Sequence, residues 1–421
     1  MKLIGKAVLF CKKEPKNFFL SERHGRLGAY PNLQKFLRLF SKRSASLLLL
    51  TAVAACVVKP TPQAAPAALT LAPARFSDLP DWQGDNLAEL LPALHLQCRR
   101  LALLPADTAL GGQGLAADFG GKAGQWSDAC HAALALAAGD DPHDFFAQWF
   151  APYAVTAPAL VTGYFEPILP GAREKSAQFQ VPVLARPDDL VVTGGKDAAG
   201  RPALGRKAGD EIVPYWTRAE IEAGDIGGAA RPIAYVASKV DLFFAQIQGS
   251  ALVQLPEGGL LHLVFDGRNG RDYTPIGRVL IAQHELAPDQ VTMQSIRAWL
   301  ASHPAQANKI MDQNESYVFF RVADDSDPAL GPPGTMGVDL TAGRSAAVDK
   351  NFLPLGAPLF IDSTVPDGRA WRHLVLAQDL GSAIAGPARV DVFLGSGPAA
   401  AEWAGKMHQA GKIWLLLPRH H

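Results

Sequence analysis

Three aspartates near the end of the chain carry its strongest chemical signal. Asp349 closes GVDLTAGRSAAVD (Gly337 to Asp349), Asp379 opens DLGSAIAG, and Asp391 lies in RVDVFLGSG. Each follows apolar residues, where a carboxylate costs free energy unless it is hydrogen-bonded or put to use. Nearby glycines let a ligand approach the backbone closely. The combination predicts a site for acid–base chemistry. Asp391 is the best placed of the three. In a strand its neighbours Val390 and Val392 point to the opposite face, and Arg389 is the one charge nearby in sequence. An apolar, partly desolvated setting keeps a carboxylic acid protonated near neutral pH, and Gly395-Ser396-Gly397 reads as a turn that admits a ligand. Asp379 also reads as a turn residue capping backbone amides. Asp349, ahead of Lys350-Asn351, reads more readily as a structural hydrogen-bonding residue.

The elements that must position these residues follow from periodicity. From Leu79 to Phe150 apolar residues recur at three and four spacing, as in LAELLPALHLQCRRLALL and WSDACHAALALAAGDDPHDFFAQWF, which predicts helices. Ser127 is a candidate N-cap. From Ala157 the texture becomes short, β-rich and broken by Gly and Pro. Turn signals stand at Asp266-Gly267 and Asn269-Gly270. Helical spacing returns over Val291 to Gln313, SYVFFRV reads as a strand, and Glu402 to Gly411 reads as a brief helix before the strand KIWLLLP. Such β-rich pieces usually close into barrels or sandwiches.

At 421 residues the chain is long enough for two or three domains, and 48% hydrophobic residues supply a sizeable core. Forty basic residues balance forty acidic ones, which argues against nucleic acid as the partner. Lys42-Arg43, the apolar run Ala45 to Ala55 and then Cys56 describe a secretory signal ending in a lipobox. The run is too short to span a bilayer. Cys56 is the expected site of lipid attachment; Val57 follows it, with no Asp there to suggest inner-membrane retention, so what such lipoproteins imply is the outer membrane, facing the periplasm of a Gram-negative cell. The long charged leader before Lys42 suggests a translation start downstream of Met1. Residues 57–73 read as a Pro/Ala-rich tether. Cys98 and Cys130 remain, and an oxidising compartment permits either a disulfide or two buried thiols. No metal-ligand cluster or dinucleotide loop stands in the sequence, so no cofactor is implied.

The motif series GVDLTAGRSAAVD, LPLGAPLFID, AQDLGSAIAGPARVDVFLGSG and AGKMHQAGKIWLLLP resembles a 3D domain, named for its three aspartates. VTGYFEPIL, YWTRAEIEAG, IAYVASKVDLFFAQIQGSA and GRDYTPIGRVLI resemble the other half of the membrane-bound lytic murein transglycosylase A family. The resemblance runs from about Val161 to Pro418. It implies a mainly β fold with an N-terminal helical segment: a double-psi β-barrel from 74–166 and 316–421, interrupted by a smaller β-barrel at 167–315, with a glycan groove between them. It implies cleavage of the β-1,4 bond between N-acetylmuramic acid and N-acetylglucosamine in peptidoglycan. It points to Asp391 as general acid/base, with Asp379 beside it orienting Asp391 or the substrate. Tyr164, Glu166, Gln246, Gln248, Gly249, Ser250, Thr341, Arg344 and Asp349 become candidate glycan contacts, while Trp371, Trp403 and Trp414 read as core. A hydrolase, or a non-catalytic glycan-binding or scaffolding lipoprotein, can use the same barrel.

Overall fold

The computed structural model describes residues 68–137, 139–196, 202–323, 330–381 and 384–419. The lipobox, Cys56 and the leader lie outside the described residues. Among the described residues no helix is long and apolar enough to cross a membrane.

The fold is mainly β, with helices near the N-terminus. Six strands close on themselves in the order Ala159–Glu166, His408–Pro418, Pro358–Thr364, Ala370–Leu380, Ser345–Val348 and Arg389–Ser396, the last pairing in parallel with the first. Closure removes the free edges that an open sheet would leave. Leu71–Pro73 and Phe150–Val155 extend the sheet at His408–Pro418. In Pro358–Thr364 and Ala370–Leu380 consecutive residues are almost fully buried, from Leu359 to Ile361 and from Leu374 to Ala377. Strands covered on both faces lose the apolar/polar alternation, and here helices pack against the barrel wall.

Those helices are Leu91–Ala102, Leu115–Gly120, Ser127–Leu134 and Pro142–Trp149. Ser127 is the first helical residue and not the cap, which is Trp126 and makes no side-chain cap bond. A disulfide joins Cys98 to Cys130 across the first and third helices, 32 residues apart. Closing a loop of that length removes disorder from the unfolded chain, worth ~3–4 kcal/mol. Replacing both cysteines with serine is expected to lower stability by about that amount, read as the urea midpoint with and without reductant. An unchanged midpoint would show that the pair contributes nothing.

The second layer is a six-stranded sheet in the order Val318–Val322, Leu260–Arg268, Ser250–Gln254, Ile168–Ala172, Pro232–Val236 and Val181–Leu184. Its two edge strands come into contact with each other. A three-stranded meander, Leu190–Lys196, Pro202–Ala208 and Glu211–Pro214, lies beside it. Val318–Val322, on the barrel side of the boundary read from sequence, is paired antiparallel with Leu260–Arg268 of this sheet.

Three local expectations change. Asp266-Gly267 is a bulge inside a strand and not a turn. The Val291 to Gln313 helix is two helices, Met293–Ser302 and Pro304–Met311, because the residue before a proline is disfavoured in the helical region. The final helix begins earlier, at Gly397–Ala404, and His408 already belongs to the last strand.

Candidate active site

Register brings two of the three aspartates together. Ala347 lies opposite Asp391 on one neighbouring strand and opposite Asp379 on the other. Thr162 lies opposite Asp391 on its far side, and His408 lies opposite Thr162. Residues level in adjacent strands share a face. Asp379, Ala347, Asp391, Thr162 and His408 therefore form one row around the barrel. Val390 and Val392 turn the other way, into the core. The methyl of Ala347 separates the carboxyl-bearing positions by two strand spacings, ~10 Å.

This row depends on a bulge. Ala346 pairs with Ala377 but Ala347 pairs with Asp379, so Gln378 is the extra residue. Without it, strand alternation would turn Asp379 to the opposite face. Buried Gln378 accepts from Ser345 Oγ at 2.6 Å and donates to Gln97 Oε1 at 3.2 Å and Ala93 O at 3.3 Å. A second bulge lies between Phe393 and Ser396 of the Asp391 strand. Gly395 there has φ 97°, a left-handed conformation that suits glycine. The Gly395-Ser396-Gly397 segment is thus a bulge running into a helix and not an open turn.

The two carboxyls differ in surroundings. Part-buried Asp391 accepts one bond, from Thr162 Oγ1 at 2.5 Å. Thr162 in turn accepts from Arg389 Nη1 at 2.7 Å. Burial pushes the Asp391 carboxyl above its ordinary range; the Thr162 bond and the Arg389 charge pull it down without cancelling the rise, and the Asp379 charge adds to it. Asp379 is held from three sides. Thr335 N and Thr335 Oγ1 each donate to Oδ1 at 2.9 Å, and Tyr164 Oη donates to Oδ2 at 3.0 Å. Burial raises its pKa despite those bonds. Burial, then the charges of Asp379 and Asp391, push the Tyr164 phenol well above its usual value, so it stays a donor. The Tyr164 ring packs on Phe393 at 5.4 Å between centroids.

The other candidates divide by exposure. Gln248, at the end of the helix Lys239–Gln248, accepts from Phe165 N at 3.1 Å, which docks the second sheet's helix onto the Tyr164 strand. Gly249 ends that helix with φ 89°. Thr341 is half-buried and donates its backbone N–H to Ser345 Oγ at 2.8 Å. Of the remaining candidates four are buried and half-buried Asp349 is engaged in its own loop. Glu166 has no exposure; its oxygens meet His262 Nε2 at 2.7 Å and Ser396 Oγ at 3.0 Å. Gln246 accepts from Arg218 Nη1 at 2.6 Å and donates to Val318 O at 3.0 Å. Ser250 is buried at the start of its strand. Arg344 is buried against Asp85, with bonds of 2.8 and 3.0 Å from Nη1. Asp349 accepts from Asn351 N, Asn351 Nδ2 and Gly386 N, far more a loop staple than a ligand contact. Of the tryptophans, Trp414 is buried in the core and Trp371 packs against it, whereas Trp403 is exposed; Trp371 and Trp403 line a cavity of about 400 Å³ with His373 and Arg369.

Sequence reasoning missed Thr162 and Thr335 as parts of the site and named Arg389 only as the charge nearest Asp391 in sequence. Period-two alternation through Thr162, Tyr164 and Glu166 could have found the first. Nothing local marks Thr335, which reaches Asp379 from 44 residues away.

Residues 160–321 match the MltA specific insert domain and residues 344–417 match the 3D domain. A crystal structure of a membrane-bound lytic murein transglycosylase from Agrobacterium tumefaciens is 32% identical, with a TM-score of 0.74, covering 83% of this chain and 98% of that one. MltA from Neisseria gonorrhoeae is 30% identical, with a TM-score of 0.69, covering 84% of this chain and 93% of that one. Membrane-bound lytic murein transglycosylase A of Escherichia coli is 31% identical over 265 residues. That alignment spans 61% of this chain and 64% of the length of the relative.

Proposed function

Because the chain belongs to the membrane-bound lytic murein transglycosylase A family, we propose that it is a lytic transglycosylase, a carbon–oxygen lyase that cleaves the β-1,4 bond between N-acetylmuramic acid and N-acetylglucosamine in peptidoglycan. The observation that carries this reading is Asp391: a carboxyl whose pKa burial raises, hydrogen-bonded at Oδ1 by Thr162, in one row with Asp379. The acid donates its proton to the glycosidic oxygen as the C1–O bond breaks. The C6 hydroxyl of the same muramoyl sugar then closes onto C1, and its proton returns to Asp391. The product is a 1,6-anhydromuramoyl end. Most glycosidases need a second carboxylate as nucleophile or base. Here the nucleophile is tethered to the substrate, where intramolecular attack has a large effective molarity, so one acid that becomes the base is sufficient.

In this reading Asp379 supports Asp391 and is not itself the acid, because its oxygens are committed to Thr335 and Tyr164. Tyr164, Gln248, Gly249 and Thr341 meet the glycan. Glu166, Gln246, Ser250, Arg344 and Asp349 hold the frame. The barrel domain comprises 71–166 and the chain after 322, with 167–322 as the insert; the strand Leu71–Pro73 takes the end of the segment read from sequence as a tether into the barrel sheet. Cys56 carries a lipid that holds the enzyme at the outer membrane.

Mass spectrometry of sacculi digested with the purified protein tests the reaction. Anhydromuropeptides are expected. Reducing ends instead would make it a hydrolase, and no release at all would make it a binding protein.

A further inference from the structure

Thr162 stands between a cation and the proposed acid. Arg389 Nη1 donates to its hydroxyl oxygen at 2.7 Å, and the hydroxyl lies 2.5 Å from Asp391 Oδ1. A guanidinium has no acceptor. The single hydroxyl proton of Thr162 therefore cannot point back to Arg389 and is directed at Asp391 Oδ1. Arg389 Nη1 is itself held by Val390 O at 3.0 Å and Leu160 O at 3.4 Å. The polarity of the chain Arg389, Thr162, Asp391 is fixed by its donor end.

We propose that Thr162, oriented by Arg389, is a positioning residue that keeps Asp391 Oδ1 an acceptor and so places the exchangeable proton on Oδ2, the oxygen that Thr162 does not occupy. This rests on the reading of Asp391 as the acid. When Oδ2 gives its proton to the leaving oxygen, the Thr162 bond becomes charge-assisted and strengthens. It therefore stabilises the state reached in the transition more than the resting acid. When the C6 hydroxyl later returns a proton, it meets Oδ2 again in the same place. No atom is gained or lost by the relay; Thr162 keeps its own proton throughout.

The titratable groups around Asp391 are Arg389 on its own strand, Tyr164 on the Thr162 strand, Asp379 two ladders away and His408 level with Thr162. Thr162→Val keeps the shape and all four of these groups and removes only the hydroxyl. It is expected to lower kcat ~10–100-fold, as for a lost bond to a charged group, with KM nearly unchanged. The bond favours the ionised form, so its loss moves the basic limb of the pH–rate profile to higher pH. Thr162→Ser restores the hydroxyl and should recover most of the rate and the native limb. Arg389→Met removes the donor behind the hydroxyl without touching the Thr162–Asp391 pair, and should shift the limb in the same direction. Wild-type rate and limb in Thr162→Val would overturn the relay, as would a Thr162→Ser variant as impaired as Thr162→Val, which would make Thr162 a packing residue. Asp391→Asn in the same assay separates the two ideas. Should that variant keep its activity, the assignment of the acid fails, whereas an inactive Asp391→Asn beside an unaffected Thr162→Val removes the relay alone.

Discussion

Asp391→Asn is expected to leave the fold intact and lower turnover by about 10²–10⁴-fold, the range for removing a general acid–base group. Asparagine keeps the shape and still accepts from Thr162 with its amide oxygen, so the strand pairing with Ala347 and Thr162 has no reason to change. What it lacks is a transferable proton. The pH dependence of the native protein follows from the raised pKa of Asp391, caused first by burial. With Asp391 as the proposed acid, the competent form is the protonated one. Activity is therefore present below the folded pKa and lost as pH rises through it. Asp379→Asn gives the contrast. Its negative charge is one of the forces raising the Asp391 pKa, and neutralising it should move the basic limb to lower pH while turnover persists. Turnover and pH profile on purified glycan strands decide the matter. An inactive Asp379→Asn beside an active Asp391→Asn would exchange the two roles.

Part of this site was legible in the sequence because it rests on local alternation. Val390, Asp391 and Val392 have one reading in a strand, and the structure gives that reading. The register that sets Asp379 level with Asp391 across Ala347 was not legible from local alternation, although the family resemblance put Asp379 beside Asp391. It depends on one extra residue, Gln378, whose bulge is set by Ser345, Gln97 and Ala93 from distant parts of the chain. Glu166 and Arg344 mislead for the same reason. Both stand in motif-rich segments and look like ligand contacts, but their partners, His262 and Asp85, are 96 and 259 residues away. A polar residue in a strand reads as accessible until a second element covers it, and long-range cover has no local signal. Helix ends fail more gently. At Ser127 the chain was already helical, so its hydroxyl had no free amide to cap.

The stability of the site frame turns on the same buried pair. Asp85→Ala is expected to cost ~3–5 kcal/mol, the range for leaving a buried charge without its partner. Asp85 Oδ1 accepts from Arg344 Nη1 and His373 Nδ1, each at 2.8 Å, and Oδ2 accepts from Arg344 Nη1 at 3.0 Å and Leu374 N at 2.7 Å. Removing it strands the Arg344 guanidinium with Asn86 O, Leu374 O and the exposed carboxylate of Glu89. Glu89→Gln, by comparison, should cost at most about 1 kcal/mol, because solvent screens that arm. Burial alone would raise the Asp85 pKa; the bonds from His373 and Leu374 and the charge of Arg344 outweigh it, and the net is a lowered value. A carboxylate with a depressed folded pKa stabilises the native state above its unfolded pKa, near the ordinary 3.8, and that stability is lost as pH falls through the folded value. The Asp85→Ala penalty should therefore be constant near neutrality and shrink in acid. Urea unfolding at both pH values measures it. Arg344 leads directly into Ser345–Val348, the strand whose Ala347 separates the two site aspartates, so this pair anchors the row from behind. If Asp85→Ala costs under ~1 kcal/mol, as a screened surface pair would, the guanidinium is not committed to the frame, and the expectation that Arg344 meets the glycan regains its footing.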